Sequence, residues 1–306
     1  MSTIIIRMIS RINRVAIVAN PIAGRGKVRP LAQAITDQLN SVGLKARLLM
    51  DGPAQAYADG LMCADAVVAM GGDGTLRAVA ARCLQLRGEI PPLLPVPMGT
   101  ANLMARYLGI DWATADLPDR VVQSIRRGRT TLLDAARANG ELFLLMAGIG
   151  LDAQIVHNLD RHRKGPINYA SYVIPAAMTL AGYRYTPLRV RIDGVEAFAM
   201  SPGVAFVANV KEYGTGFSLV PGARPDDGLL DVCVIPVRGR ADALRYFLHA
   251  AAGEHLLGEG VVYARGRQID IESSGTLPVQ IDGEPAGHTP VHIDLLPLRV
   301  PFIVPG

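Results

Sequence analysis

Apolar and polar positions along the first 128 residues follow two alternating rhythms. Val15 to Ala19, Ala46 to Met50, Asp65 to Ala69 and Leu93 to Val96 are short, mostly apolar runs. Such runs predict strands covered on both faces. Val28 to Asn40, Ala54 to Cys63 and Leu76 to Leu86 space their apolar residues at helical intervals, and these predict helices between the strands. Strand and helix in alternation predict an α/β domain over residues 1–128, with a mostly parallel sheet and flanking helices. Ligands on such sheets sit at the C-terminal strand ends.

After Arg129 the rhythm changes. Leu132 to Ala138, Leu142 to Met146, Leu188 to Ile192, Val204 to Ala208, Leu230 to Ile235 and Gln268 to Ile271 predict short strands. Asn139-Gly140, Asp193-Gly194 and Asp282-Gly283 are the residue pairs that tight hairpins require. Pro166 to Gly182 and Ala241 to Ala252 read as helices. Residues 129–306 are therefore expected to form a second, largely antiparallel β domain with some helix, its C-terminal tail able to pack back on the first. Arg126-Arg127-Gly128-Arg129 reads as a charged, glycine-containing hinge. No internal repeat or low-complexity tract is visible. The length of 306 residues agrees with two domains.

Composition narrows the partners. Half the residues are hydrophobic and formal net charge is +4, mild enough to suit a phosphorylated ligand or an anionic membrane surface. That charge, with 5% aromatic residues and no basic-aromatic stripe, argues against nucleic acid. Cys63, Cys83 and Cys233 are far apart in apolar contexts, as expected for free buried thiols in a reducing cytoplasm. The histidines form no ligand cluster, since Pro290 between His288 and His292 speaks against a shared helical face. The apolar N-terminus is broken by Arg7 and Arg11, and Tyr169 to Tyr183 is interrupted by Ser171, Pro175 and Thr179. Both fall short of a bilayer span. The expectation is a soluble cytoplasmic protein able to touch the inner membrane surface, with a homodimer compatible.

The most informative stretch is Gly71-Gly72-Asp73-Gly74-Thr75-Leu76, directly after Ala66-Val67-Val68-Ala69-Met70. Glycines there let main-chain N–H groups approach a polyphosphate, and a helix start behind them adds donors and partial positive charge. Asp73 places a carboxylate where a magnesium ion on the phosphates could be held, directly or through water. Taken alone, a glycine-rich turn that merely turns is an equal reading. The two common nucleotide fingerprints are disfavoured. Gly24-Arg25-Gly26-Lys27 lacks the first glycine and the final hydroxyl of a P-loop, and Arg29 stands where a dinucleotide motif needs its third glycine.

Other segments follow in order. Asn20-Pro21-Ile22-Ala23-Gly24 precedes the glycine-rich loop, and Pro97-Met98-Gly99-Thr100-Ala101-Asn102 follows it. Downstream stand Gly148-Ile149-Gly150-Leu151-Asp152-Ala153, Pro225-Asp226-Asp227-Gly228-Leu229-Leu230-Asp231 and Gln280-Ile281-Asp282-Gly283-Glu284. This constellation resembles the diacylglycerol kinase-like lipid kinases, the bacterial relatives of diacylglycerol and sphingosine kinases, from about Arg14 to the C-terminus.

The resemblance implies an ATP-dependent lipid kinase with magnesium as cofactor and a membrane-borne lipid as substrate. It implies ATP contacts from Asn20 to Gly24, from Gly71 through Asp73, Gly74, Thr75 and Leu76 to Arg77, and from Thr100. Asn102 orients the loop or a phosphate, or caps the next helix. It implies Glu284 as the base that accepts a lipid hydroxyl proton. Asp282 stands beside it, facing the same side if the segment is an extended strand; solvated acids of a hairpin turn are the plainer reading. A structural magnesium is implied at the Asp227 carboxylate and the backbone carbonyls of Arg224 and Leu229, with Asp226 and Asp231 as turn and network residues. Asp152 is either a motif residue or a helix N-cap. The basic run Arg161-His162-Arg163-Lys164 is either a solvated face or a border to anionic head groups.

The chain departs from the family pattern at three places. Ala23 stands where serine is common, Asn209-Val210 where Asn-Gly is common, and Met50-Asp51-Gly52-Pro53-Ala54 replaces a threonine and Gly-Asp-Ala. An NAD kinase or phosphofructokinase-like sugar kinase shares the Gly-Gly-Asp-Gly loop, and a non-catalytic nucleotide- or lipid-binding regulator is the reading from another class.

Overall fold

The structure is a computed structural model describing residues 7–8, 12–50, 57–86, 88–161, 179–180, 182–212 and 218–305. It divides into two units, residues 1–133 with 299–306, and residues 134–298. The first holds a seven-stranded, mostly parallel sheet. Its strands are β1 (Arg7–Met8), β2 (Arg14–Ala19), β3 (Lys45–Leu49), β4 (Ala66–Gly71), β5 (Leu93–Pro97), β6 (Arg129–Leu133) and a last strand, β18 (Val300–Ile303). Their order is β1-β6-β18-β5-β4-β2-β3. β2, β4 and β5 lie side by side and parallel, and nearly every residue in them is buried. This is why their sequences read as unbroken apolar runs, whereas edge strand β3 alternates.

Helices α1 (Val28–Ser41), α2 (Tyr57–Met62), α3 (Asp73–Cys83), α4 (Leu103–Tyr107) and α5 (Leu117–Arg127) complete the first unit. α1 turns Val28, Ala32, Ile35 and Leu39 inward, one face at helical spacing. α3 starts at Asp73 rather than Leu76, because Gly72 supplies the extended residue ahead of it.

The expected hinge at Arg126–Arg129 is instead the end of α5. Gly128, in the left-handed region at φ 57°, closes that helix with its N–H on the Ser124 carbonyl, and Arg129 opens β6. The predicted strand Leu132 to Ala138 is correspondingly two strands. β6 belongs to the first sheet and β7 (Ala136–Ala138) to the second, so residues 129–133 lie in the first unit.

The second unit is an eleven-stranded antiparallel sheet. It comprises β7, β8 (Glu141–Phe143), β9 (Met146–Ile149), β10 (Pro187–Ile192), β11 (Val195–Ala208), β12 (Leu230–Pro236), β13 (Val262–Gly266), β14 (Gln268–Ser273), β15 (Pro278–Ile281), β16 (Glu284–His288) and β17 (Val291–Leu295). α6 (Leu151–Arg161) and a helix at Arg240–Ala252 accompany it. One buried cluster gathers Phe143, Val190, Val232, Ile271 and Ile293; another gathers Phe206, Cys233, Ile235, Ala243 and Ala250. The segments 162–178 and 213–217 lie outside the described residues, including most of the helix expected at Pro166 to Gly182 and the basic residues 162–164.

Cys83 and Cys233 are buried, and burial pushes both thiols up to about 12. Cys63 is exposed, contrary to expectation; it follows Met62, the last residue of α2, which is exposed too. Among the described residues no helix is long and apolar enough to cross a membrane.

His292 lies opposite Asp270 across β14 and β17, with Nδ1 2.5 Å from Asp270 and Nε2 2.8 Å from Asp294. The hydrogen bond to Asp270, then the Asp294 charge, holds its pKa above the ordinary value of 6.5 against partial desolvation. A raised histidine stabilises the fold below the unfolded pKa and loses that contribution as pH rises through the folded one. His292→Gln is therefore predicted to lower the urea midpoint relative to wild type at pH 6 and to match it at pH 8.5. A difference equal at both pH values would refute the assignment.

Candidate active site

The first unit brings three motif loops together at the C-terminal ends of neighbouring strands. The loop after β2 is fastened to the next strand by the Asn20 N–H on the Met70 carbonyl at 3.0 Å. Asn20 Nδ2 donates to the Thr75 hydroxyl at 3.1 Å, while its Oδ1 accepts the Ile22 N–H at 3.2 Å. Gly24 N–H reaches the Met98 carbonyl at 3.1 Å, and Met98 N–H reaches the Gly71 carbonyl at 2.9 Å. Every link uses main chain or a short side chain, so the loops close on one another with little between them. At Gly99 an added Cβ would stand 2.5 Å from the Gly72 Cα, so only glycine permits this approach.

Asp73 lies in the first turn of α3 and accepts the N–H groups of Leu103 at 3.0 Å and Met104 at 3.1 Å. Those are the first donors of α4, which its own preceding residue leaves without a side-chain cap. Asn102, at φ 49°, instead closes the loop on Gly99 through two hydrogen bonds of 2.9 Å. The helix cap that was one reading of Asn102 is thus not made by its side chain. Asp73 does the capping from the first turn of α3, each of its oxygens accepting one main-chain N–H. Burial raises the Asp73 pKa, and the main-chain N–H groups around it only partly oppose that. Pro21, Ile22 and Thr100 are exposed, while Ala23, Gly24, Gly74 and Arg77 are half-buried around the same loops.

In the second unit Asp282 and Glu284 are not on one extended strand. Asp282 (φ 49°) and Gly283 (φ 81°) form the two-residue turn joining β15 to β16, with Ile281 paired to Glu284. The Asp282 carboxylate accepts three successive N–H groups, from Leu144, Leu145 and Met146, at 2.9–3.0 Å. Gln280, almost fully buried, links Asp152 at 3.0 Å to the Gly283 N–H at 2.9 Å. Asp152 is therefore a partner of the hairpin, one residue inside α6, and not its N-cap. A Cβ at Gly148 would fall 2.2 Å from that carboxylate, so the glycine there makes room for the link. Glu284 opens β16, half-buried.

Family comparison agrees with both halves. The diacylglycerol kinase catalytic domain matches residues 14–138, and the YegS C-terminal NAD kinase beta sandwich-like domain matches residues 146–304. The chain belongs to the diacylglycerol kinase-like lipid kinases. A diacylglycerol kinase of Mycobacterium tuberculosis is 29% identical over 86% of each chain. A protein of Pseudomonas aeruginosa named as a probable YegS-like lipid kinase is 32% identical over 76% of this chain and 74% of its own. In fold, a Bacillus anthracis structure described as a diacylglycerol kinase superposes with a TM-score of 0.74 at 25% identity, covering 96% of this chain and 98% of that one.

Membership of a kinase family implies ATP as co-substrate. The magnesium that resemblance places at Asp227 meets a different arrangement. Asp227 accepts the Leu229 N–H at 3.2 Å and pairs through its other oxygen with Arg265, while Arg224 turns its side chain to Asp226. Arg265 also reaches Asp231, which accepts the Tyr263 hydroxyl at 2.7 Å and whose pKa burial raises. In this structure a guanidinium stands on the carboxylate that was expected to hold the cation. Among the described residues no group of three or more metal-ligating side chains gathers anywhere.

Two residues of this region escaped sequence reasoning. Asp134 is buried and accepts the Gly228 N–H at 2.7 Å, pinning the acidic loop. Asn209 entered only as the residue before Val210, where the chain departs from the family pattern. An acid at the end of the apolar run Leu132-Leu133 was the available signal for Asp134.

Asp73→Asn keeps one acceptor and relieves the burial of a charge, so stability and loop closure should respond differently. Hydrogen bonds to charged groups are worth about 1.5–3 kcal/mol, and ~1.4 kcal/mol is tenfold in an equilibrium. ATP affinity is predicted to fall by roughly tenfold or more while the melting temperature stays near wild type. Calorimetric titration with ATP beside a thermal melt checks both; unchanged affinity would contradict the capping role.

Proposed function

We propose that the protein transfers the γ-phosphoryl group of ATP to a hydroxyl of a membrane-borne lipid of the diacylglycerol or sphingoid class. The observation that carries this reading is the ordered match of both halves of the chain to the lipid kinase family, with the motif residues gathered into built loops. The relatives' names support a lipid acceptor. The outward leucines Leu244, Leu248 and Leu257 suit an acceptor drawn from a bilayer.

Phosphoryl transfer asks mainly for positioning and charge stabilisation. Asn20 to Gly24, Gly71 to Arg77 and Thr100 would cradle the phosphates through main-chain N–H groups, with Asp73 fixing the loop that carries Thr100. A magnesium ion bound with ATP would neutralise charge on its phosphates. The acceptor hydroxyl needs a base, and Asp282 is already occupied by three N–H donors. Glu284, next to that turn, takes the proton in this reading, and Asp282 holds it in place.

The test supplies labelled ATP with mixed micelles of candidate lipids and, separately, with NAD. Label is expected in a lipid and not in NAD; label in NAD alone would favour the NAD kinase reading. Glu284→Gln keeps the shape and cannot accept a proton, so turnover should fall by about 10²–10⁴-fold with ATP affinity unchanged. A loss of ATP affinity matching the loss of rate would assign Glu284 to binding instead.

A further inference from the structure

Asn209 follows directly on β11 and is fully buried. Its side-chain amide donates to two main-chain carbonyls, Asp134 at 2.7 Å and Leu144 at 2.8 Å. Its N–H and that of Val210 both reach the Leu145 carbonyl, at 2.8 and 3.3 Å. Leu144 and Leu145 belong to the segment that Asp282 holds by its N–H groups. Asp134 is the residue that pins the acidic loop, through Gly228 and through its own N–H on the Pro225 carbonyl. One amide therefore fixes the carbonyl side of both anchors.

Its orientation is decided by chemistry, since a flipped amide would set its oxygen against two carbonyl oxygens. In that orientation Oδ1 is buried with no partner among the described residues. We infer that Asn209 is a positioning residue that sets the Glu284 hairpin and the acidic loop in one frame for the phosphoryl acceptor step. This rests on the lipid kinase reading.

Two variants test it. Asn209→Asp has the same shape but presents oxygens to the two carbonyls, and protonation restores one donor. Asn209→Ser keeps a single short donor and no charge, and it carries the test if the aspartate variant does not fold. With lipid acceptor, kcat is expected to fall about 10–100-fold, as loss of charge-free anchoring at one or two bonds converts, with KM for ATP unchanged. The Asn209→Asp to wild-type kcat ratio should rise between pH 8 and pH 6. A variant that melts lower yet turns over normally, with a flat ratio, overturns the proposal.

Failure of the lipid reading shows separately, as absence of lipid phosphorylation by wild type. Amide hydrogen exchange then decides. The proposal requires faster exchange at Leu144, Leu145, Met146 and Gly228 in folded Asn209→Ser, with β10 unchanged. Wild-type protection at those amides refutes it.

Discussion

A carboxylate that accepts consecutive main-chain N–H groups is the device on which both motif regions depend. Asp73 takes two donors at the start of α4, and Asp282 takes three from the segment before and into β9. The same device recurs away from the motifs, where Asp65 accepts Asn13 and Arg14, and Asp193 accepts Arg267 and Gln268. Glycine-rich loops lack side chains that could pack and hold them. A charge-assisted bond is about twice as strong as a neutral one, so one acid can fix a loop at a point where no core reaches.

The sheets decide where these clasps act. In the first unit β2, β4 and β5 are parallel neighbours, which places their loops at one end before any side chain contributes. The close passage of Gly72 and Gly99 then makes the loops mutually dependent, and Asp73 ties the second to the third. In the second unit β15 pairs with both β9 and β16, so the Asp282 turn stands directly beside the segment it clasps. Main-chain hydrogen bonds, more than any single side-chain contact, thus fix the geometry of both motif regions.

How far the sequence reaches depends on where a residue's partners lie. The central strands of the first unit were readable because burial on both faces writes itself as an apolar run. α5 carries Leu117, Val121, Val122 and Ile125 at helical spacing but was not among the expected helices, and its basic end imitated a linker. Only the left-handed Gly128 distinguishes a helix C-cap from a hinge there. The pairing of Asp282 and Glu284 on one face failed because Asp-Gly prefers the left-handed turn over an extended strand. Motif residues could be named by resemblance, whereas the roles of Asp73 and Asp152 depend on atoms far along the chain. Asn209 was least accessible, since its side chain answers carbonyls 75 and 65 residues away.

Both motif regions stand most directly on the clasps themselves. Native-state hydrogen exchange followed residue by residue would compare wild type with Asp282→Ala and Asp73→Ala. Loss of charge-assisted bonds of about 1.5–3 kcal/mol each predicts exchange faster by roughly 10–100-fold. The change should appear at Leu144, Leu145 and Met146 in the first variant, at Leu103 and Met104 in the second, and leave β4 and β10 as in wild type. Amides that already exchange freely in wild type, or that keep their protection without the acid, would contradict the account.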